Sequence, residues 1–343
     1  MLPETENNLV VFFGGIGDVL TWVPALKAMR VKPDVLYLNG TPLLSILKEN
    51  DLVNEVYQVE GKFALMRFAI AKRAKYDNVF LNHLCGGRLL LSGMRILSHR
   101  VFSNSENFGH ASGNFIQRDI LKGVHDSVQN FFLLHGRKPD LVADSFALKV
   151  QREAEKPISP YLCIHLAAGN GQTPYKNWSM KNWAEFIDLL QKELPQFTFV
   201  LLGGKEETMM ADQLVQFSVS KWNKVGRTSL NEAASLISGA KIFIGPDGGL
   251  MHLSVCMGIR TFTLWGASSQ RLYGYQELFP SDHQSVSLQL PCSPCNAWQD
   301  PNRSRTSDPL TCSDFACMRD LKPPFVLQRF LSFFRSELGY NSE

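Results

Sequence analysis

The sequence predicts an α/β protein made of two doubly wound domains, each with a parallel sheet covered by helices on both faces. Short apolar runs alternate with segments of helical spacing along most of the chain. This rhythm stops once, at 136–160, and then restarts, and the length of 343 residues suits about two domains. Ligands of such folds bind at the carboxyl ends of the strands, so we expect a site in the cleft between the domains.

In the first half of the chain, strand-like and helix-like segments follow one another in turn. The predicted strands are 9–13, 35–38, 56–59 and 79–81, and the predicted helices are 19–29, 43–48 and 63–75. The segment 136–160 is charged and carries three prolines, which is typical of a linker.

The same rhythm returns after the linker. The predicted strands are 161–166, 197–202, 241–245 and 261–265, and the predicted helices are 181–193, 206–217, 230–238, 250–257 and 325–338. The predicted domains are therefore 1–150 and 151–284. A cysteine-rich segment without periodicity and a C-terminal helix follow over 285–343.

Composition and charge exclude several classes of protein. A content of 45% hydrophobic and 20% charged residues is that of a soluble globular protein, and seven cysteines are too dilute for a disulfide scaffold. The net charge of +3 is too small to indicate a nucleic-acid partner. The acidic, polar start MLPETENN is unlike a secretory signal, and no apolar stretch is long enough for a membrane span. The sequence therefore predicts a cytoplasmic protein.

A glycine-rich turn, Gly14-Gly15-Ile16-Gly17-Asp18, follows the first predicted strand and opens a helix. Glycines at such a turn let the backbone approach a ligand closely, and a carboxylate there is placed to act as a general base. The alternative is that Asp18 only caps the helix. Gly15, Gly17 and Arg88, which follows a Gly-Gly turn at another strand end, are the candidates for binding an acceptor.

Three further motifs lie at strand ends in the second half. Asp247-Gly248-Gly249 precedes a helix that carries His252, and such glycine turns can cradle phosphate. Lys176 lies in a loop where it could neutralise a diphosphate, and Glu207 follows Gly203-Gly204 where a carboxylate could accept ribose hydroxyls. The alternatives are a tight turn, a solvated lysine, and acidic residues that complement a helix dipole.

Taken in order, these motifs resemble glycosyltransferase family 9, the ADP-heptose:lipopolysaccharide heptosyltransferases. The resemblance covers about 9–275 and includes Lys176-Asn-Trp178 and Leu264-Trp265-Gly266. It implies a GT-B fold of two facing Rossmann-like domains and an inverting, metal-independent transfer. It also implies residue roles: Asp18 is the catalytic base, Lys176 contacts the diphosphate, Glu207 or its neighbour Glu206 contacts the ribose, and Asp247, Gly248, Gly249 and His252 form the donor loop.

The resemblance further implies the partners. The donor is expected to be a nucleotide sugar, in first place ADP-heptose, and the acceptor a hydroxyl of a lipopolysaccharide core or a protein. Residues 61–100 hold eight basic residues and one acid, which favours an anionic glycolipid or protein acceptor, or peripheral contact with the inner membrane. A solvated basic helix face explains the run equally well. The alternative functions are a nucleotide-sugar epimerase or hydrolase on the same fold, and a non-catalytic scaffold.

Two features depart from the usual pattern of the family. Gly248 stands where a threonine is common, which removes one hydroxyl from the donor loop. The second feature is a set of four cysteines with metal-site spacing, which favours a structural zinc or iron ion, and autotransporter heptosyltransferases carry an iron site of this kind. The alternative is reduced cysteines packed in a loop. These cysteines are Cys292, Cys295, Cys312 and Cys317.

Overall fold

The protein divides into two compact units, Met1–Phe146 and Ala147–Glu343. The computed structural model describes residues 6–38, 44–82, 85, 88–104, 115–150, 153–168, 173–217, 222–295 and 312–338. Each unit contains one six-stranded parallel sheet. The division falls within the segment that the sequence marks as a linker.

The first unit has the strand order of a doubly wound fold. Its strands are β1 (Asn8–Phe12), β2 (Asp34–Leu38), β3 (Val56–Val59), β4 (Tyr76–Leu81), β5 (Ser98–Ser103) and β6 (Phe115–Gln117), in the order β3-β2-β1-β4-β5-β6. Its helices are α1 (Ile16–Leu20), α2 (Val23–Lys27), α3 (Leu44–Glu49), α4 (Lys62–Ala71), α5 (Arg88–Leu97), α6 (Asp126–His135) and α7 (Ala143–Phe146). The strand order reverses between β1 and β4, where such folds bind ligands.

The single helix predicted over 19–29 is wrong, because the structure has two short helices, α1 and α2, in its place. Pro24 explains the break. Its nitrogen carries no hydrogen and its ring clashes with the preceding turn, so proline is tolerated only in the first turn of a helix. Pro24 accordingly lies in the first turn of α2.

The second unit repeats the same topology. Its strands are β7 (Tyr161–His165), β8 (Thr198–Leu202), β9 (Trp222–Asn223), β10 (Phe243–Pro246), β11 (Thr261–Leu264) and β12 (His283–Val286), in the order β12-β11-β10-β7-β8-β9. Its helices are α8 (Met180–Glu193), α9 (Thr208–Phe217), α10 (Leu230–Ser238), α11 (Gly249–Cys256), α12 (Gln270–Tyr273), α13 (Ala316–Arg319) and α14 (Pro323–Leu338). Here the order reverses between β7 and β10.

The C-terminal helix α14 is part of the core of the second unit. Phe330 is fully buried, and its ring meets those of Phe186 on α8 and Phe262 on β11 edge-on. The indole of Trp178 donates a hydrogen bond to the carbonyl of Leu321, at 2.8 Å. Helix α14 therefore completes the hydrophobic layer on one face of the second sheet. Among the described residues, no helix has the length and apolar character needed to cross a bilayer.

Candidate active site

The glycine-rich turn of the first unit leads from β1 into α1. Gly14 adopts a φ of 127°, which side-chain-bearing residues rarely adopt, and its carbonyl accepts a hydrogen bond from the Tyr37 hydroxyl. Asp18 is half-buried, and its Oδ2 atom accepts a hydrogen bond of 2.6 Å from the Gly15 N–H. Asp18 thus caps its own helix.

A buried polar network anchors this short helix to α6. The Thr21 hydroxyl lies 2.9 Å from the Asp18 carbonyl oxygen and 3.0 Å from Oδ2 of Asp126. The Asn130 amide donates to the Thr21 hydroxyl at 2.9 Å. Because Asp126 and Asn130 lie one turn apart on α6, they hold α1, and with it the turn that bears Asp18.

The structure describes the other two acceptor candidates, Gly17 and Arg88, to different extents. Gly17 accepts a backbone hydrogen bond from the Thr21 N–H at 3.1 Å, within α1. Arg88 is the first residue of α5, but its side chain lies outside the described residues. Its proposed contact with an acceptor stays a prediction.

In the second unit, Lys176 and Asp247 form an ion pair near the point where the strand order reverses. Lys176 lies in a short 3-10 helix, Pro174–Lys176, and Asp247 follows β10. The Lys176 Nζ atom lies 2.7 Å from Oδ2 of Asp247, and their side chains are 21% and 6% exposed. Burial alone would raise the pKa of Asp247, but the charges of Lys176 and His252 and hydrogen bonds from Lys176 and Ser268 lower it overall. Asp247 is therefore held as a carboxylate.

His252 extends this charged cluster along α11. Its Nε2 atom lies 4.0 Å from Oδ1 of Asp247, and its Nδ1 atom lies 2.8 Å from the hydroxyl of Tyr275. Both rings are buried, at 4% and 2% exposed. This row of side chains thus leads from the partly exposed Lys176 to the buried Tyr275. The contact with Tyr275 is not evident from any local motif.

Glu207 is buried and pairs with a histidine that the motif search left without a role. Its carboxylate lies 3.2 Å and 3.4 Å from Nε2 of His165, the last residue of β7. The same carboxylate packs so closely on Gly203 that a Cβ there would lie 2.0 Å from Oε2. The neighbouring Glu206 is exposed, so burial favours Glu207 as the residue with a specific role.

The loop Asp247-Gly248-Gly249, the predicted donor loop, approaches Ala168 closely. A Cβ at Gly248 would lie 2.8 Å from Cβ of Ala168, closer than two such atoms approach in proteins. Gly248 precedes α11, and Gly249 is its first residue. The N–H groups at this helix start favour an anion. The glycine at 248 is thus required by the space available.

All four cysteines of the predicted metal site lie among the described residues, and Cys295 and Cys317 are partly buried. Burial raises the pKa of Cys317, and its electrostatic interactions with Cys295, Cys292 and Cys312 raise it in the same direction, to about 11. The Ser293 hydroxyl donates to the Gly266 carbonyl, and Cys317 also packs on Gly266. Among the described residues, however, no three His, Cys, Asp or Glu side chains are close enough together to hold a metal ion.

Solved structures that share this pair of doubly wound units identify the class of fold. The structure of the Escherichia coli ADP-heptose lipopolysaccharide heptosyltransferase II matches with a TM-score of 0.68 over 97% of this chain and 99% of that chain, at 17% identity. The iron-containing dodecameric glycosyltransferase TibC of enterotoxigenic E. coli matches with a TM-score of 0.59 over 96% of this chain and 76% of that chain, at 16% identity. The protein therefore has the GT-B fold of glycosyltransferases.

Comparison of the sequence with known proteins identifies the family. The model of glycosyltransferase family 9 (heptosyltransferase) matches residues 132–305, about half of the chain. A lipooligosaccharide heptosyltransferase 2 from Campylobacter jejuni subsp. jejuni serotype O:6 is 22% identical over 326 residues, which cover 91% of this chain and 94% of that protein. The chain belongs to glycosyltransferase family 9 and is a glycosyltransferase, as its motifs predict.

Proposed function

We propose that this enzyme transfers a heptose from ADP-heptose to a hydroxyl of a lipopolysaccharide core, with inversion at the anomeric carbon. Family membership supports the class of reaction, and the names of the relatives in C. jejuni and E. coli support the sugar and the acceptor. The observation that carries the proposal is the buried cluster of Lys176, Asp247 and His252 beside the start of α11. A cation and a helix start together suit a diphosphate.

In this proposal the second unit binds the donor. The Lys176 ammonium has three N–H donors, so it can hold Asp247 and contact a phosphate at the same time. The N–H groups around Gly248 and Gly249 face the second phosphate, and Glu207 accepts a ribose hydroxyl. The sequence contains no Asp-x-Asp motif for a divalent metal, and these groups supply the positive charge instead.

Asp18 of the first unit is the proposed general base. As the acceptor oxygen forms its bond to the anomeric carbon, Asp18 takes the hydroxyl proton. The bond from that carbon to the β-phosphate oxygen breaks, and ADP leaves with the bonding electron pair. The hydrogen bond from the Gly15 N–H holds the Asp18 carboxyl group over the turn. Gly15, Gly17 and Arg88 are proposed to line the acceptor site.

The experiment is calorimetry with ADP, UDP and GDP, followed by a transfer assay with ADP-heptose. We expect ADP to bind most tightly. We expect Asp18→Asn to lower kcat at least about 100-fold while ADP affinity changes less than about threefold. Asp140→Asn, which alters an exposed carboxylate, is the matched control. Preference for UDP or GDP would overturn the donor, and sugar release without an acceptor would indicate a hydrolase or epimerase.

We also propose that Cys292, Cys295, Cys312 and Cys317 hold one structural iron or zinc ion. Thiolates are the ligands these metals prefer, and the spacing of the four cysteines along the sequence supports the proposal. Its role would be to hold the cysteine segment against the strand-end loop at Gly266. Elemental analysis should find about one metal per chain. A folded, metal-free protein with full ADP affinity would reject the site.

A lipid-linked acceptor would place the reaction in the cytoplasm at the surface of the inner membrane. We propose this location because the glycolipid is anionic and residues 61–100 are strongly basic.

A further inference from the structure

Helix α4 of the first unit lacks the polar outer face that a surface helix normally has. Eight of its ten residues, KFALMRFAIA, are apolar. The inner face is accounted for, because Leu65 and Ala69 are buried and pack on Gly93 of α5. A helix that is apolar all round is usually covered on both faces. The outer face of α4 is therefore the unusual feature.

That outer face carries two large side chains that protrude into solvent. Phe63 is 89% exposed and Ile70 is 65% exposed. They lie seven residues apart, or about two helical turns, on one stripe with the exposed Arg67 between them. Single exposed apolar residues are ordinary, whereas two large ones with a cation between them on one stripe are typical of a helix that lies at a membrane interface.

The surroundings of this stripe are basic. Residues 61–75 contain five cations and no acid. Two of the cations have partners at the inner edge: Lys75 pairs with Asp34, and Lys72 lies over the ring of Tyr57. Lys62, Arg67 and Arg73 are exposed around the apolar stripe. The acids that flank the helix have partners of their own: Glu60, before it, accepts a hydrogen bond from the Gln58 amide at 3.1 Å, and Asp77, after it, accepts one from the Asn7 N–H.

We propose that α4 docks the enzyme on a bilayer surface that contains anionic lipids. Phe63 and Ile70 enter the boundary between headgroups and acyl chains, while Lys62, Arg67 and Arg73 contact lipid phosphates. This inference deepens the proposed function, because it names the surface through which the enzyme reaches a lipid-linked acceptor. A second copy of the chain suits this face less well. A symmetric contact centred on Arg67 would bring like charges together, and α4 has no acid to offset them.

The experiment is flotation of the full-length protein with vesicles of phosphatidylcholine, alone or with about one quarter phosphatidylglycerol. We expect binding only to the anionic vesicles, and weaker binding as salt is added. The double variant Phe63→Ser/Ile70→Ser should lower the partition coefficient at least about 10-fold. The control is Met209→Ser on α9 of the second unit, which removes a side chain that is 78% exposed and should leave binding unchanged.

Three outcomes would overturn the proposal. The first is equal binding to neutral and anionic vesicles, and the second is a double variant that binds like the wild type. The third is a wild-type dimer in light scattering that becomes a monomer in the double variant, because the occupant would then be a second copy. ADP affinity is measured on the same samples. Vesicle binding without ADP binding would reject the proposed function alone, and ADP binding without vesicle binding would reject this surface alone.

Discussion

The side chains of Lys176 and Asp247 form a partly buried ion pair in the second unit, with Nζ 2.7 Å from Oδ2. Removing one partner of such a pair leaves a charge without compensation, whereas removing both charges does not. With the proposed function, the pair is expected to have two separable roles, one in stability and one in binding the donor. Substitutions at the two positions can distinguish them.

We expect Lys176→Met to weaken ADP binding about 30-fold or more and to destabilise the unit by about 1–3 kcal/mol, since Asp247 is then buried without its cation. The double variant Lys176→Met/Asp247→Asn should recover most of the stability but not the affinity. Calorimetry and urea unfolding measure the two effects. Lys192→Met, on the exposed face of α8, controls for the lost charge. Full ADP affinity in the single variant would remove Lys176 from the phosphate site.

Tyr275 is expected to act as a positioning residue for His252. A hydroxyl that donates to Nδ1 leaves the hydrogen of the neutral ring on Nε2, which faces Asp247. Tyr275→Phe should therefore shift the ring towards the other tautomer, which the ¹⁵N chemical shifts of His252 report. It should also weaken ADP binding a few-fold and cost about 1–2 kcal/mol, because Nδ1 is left buried without this partner.

Tyr273→Phe is the matched control, since it removes a hydroxyl from the neighbouring tyrosine. Identical ¹⁵N shifts in Tyr275→Phe and the wild type would show that the hydroxyl does not set the tautomer. A loss of stability alone, without a change in shifts or affinity, would reduce Tyr275 to a packing role.

The fold was predictable because parallel strands buried on both faces leave continuous apolar runs. The run Leu9–Phe13 is nearly all β1, whose residues are all buried. Strand β5, with the sequence SHRVFS, has no such run, and it forms because β4 and β6 pair with it on both sides. Strand β6 also lacks such a run and pairs with β5 at the edge of the sheet, so this part of the first unit was not predicted. Pairing energy between strands is not visible in a local pattern.

The candidate site was predictable only where its residues lie at strand ends in recognisable turns. Lys176, Asp247 and His252 were found in this way, and the structure brings them together. The partners that hold them in place come from elsewhere in the sequence. Tyr275 is 23 residues from His252, and His165 is 42 residues from Glu207. Such contacts depend on the topology of the sheet rather than on any spacing.

Gly248 is expected to be fixed by Ala168 rather than by its own backbone, whose φ of −173° suits any residue. Gly248→Thr should destabilise the protein by about 1–3 kcal/mol, because its Cβ meets that of Ala168, which is buried and cannot move aside. Ala168→Gly in the same chain removes the obstructing methyl group. The double variant should regain part of the stability, and its threonine hydroxyl gives the donor loop one more phosphate contact.

Thermal unfolding and ADP calorimetry on the four proteins of this cycle measure the coupling between the two positions. If the changes in stability caused by the two substitutions were additive, the loop would have moved away from Ala168. The space beside Ala168 would then not be the reason for a glycine at 248.

His283 should make the second unit less stable in acid. It is 6% exposed, its Nδ1 atom lies 3.1 Å from the Thr261 hydroxyl, and burial, followed by the charge of Arg260, lowers its pKa from 6.5 to about 4. Below pH 6.5 the unfolded chain therefore binds a proton at His283 more readily than the folded protein does. The contribution of the neutral His283 to the free energy of unfolding is fully present above pH 6.5 and is lost as the pH falls towards 4. Between pH 7 and 4.5 this loss is about 2 kcal/mol.

His283→Gln keeps a polar partner for Thr261 but does not titrate in this range. Between pH 7 and 4.5, the unfolding free energy of the variant should therefore fall by about 2 kcal/mol less than that of the wild type. Urea unfolding followed by tryptophan fluorescence measures the difference. The carboxyl of Asp247 does not confound it, because its lowered pKa lies below this window. His135 of the first unit also has a pKa lowered by burial, so His135→Gln should alter the acid sensitivity of that unit instead. If His283→Gln and the wild type lost equal stability in acid, His283 would have the same pKa in the folded protein as in the unfolded chain.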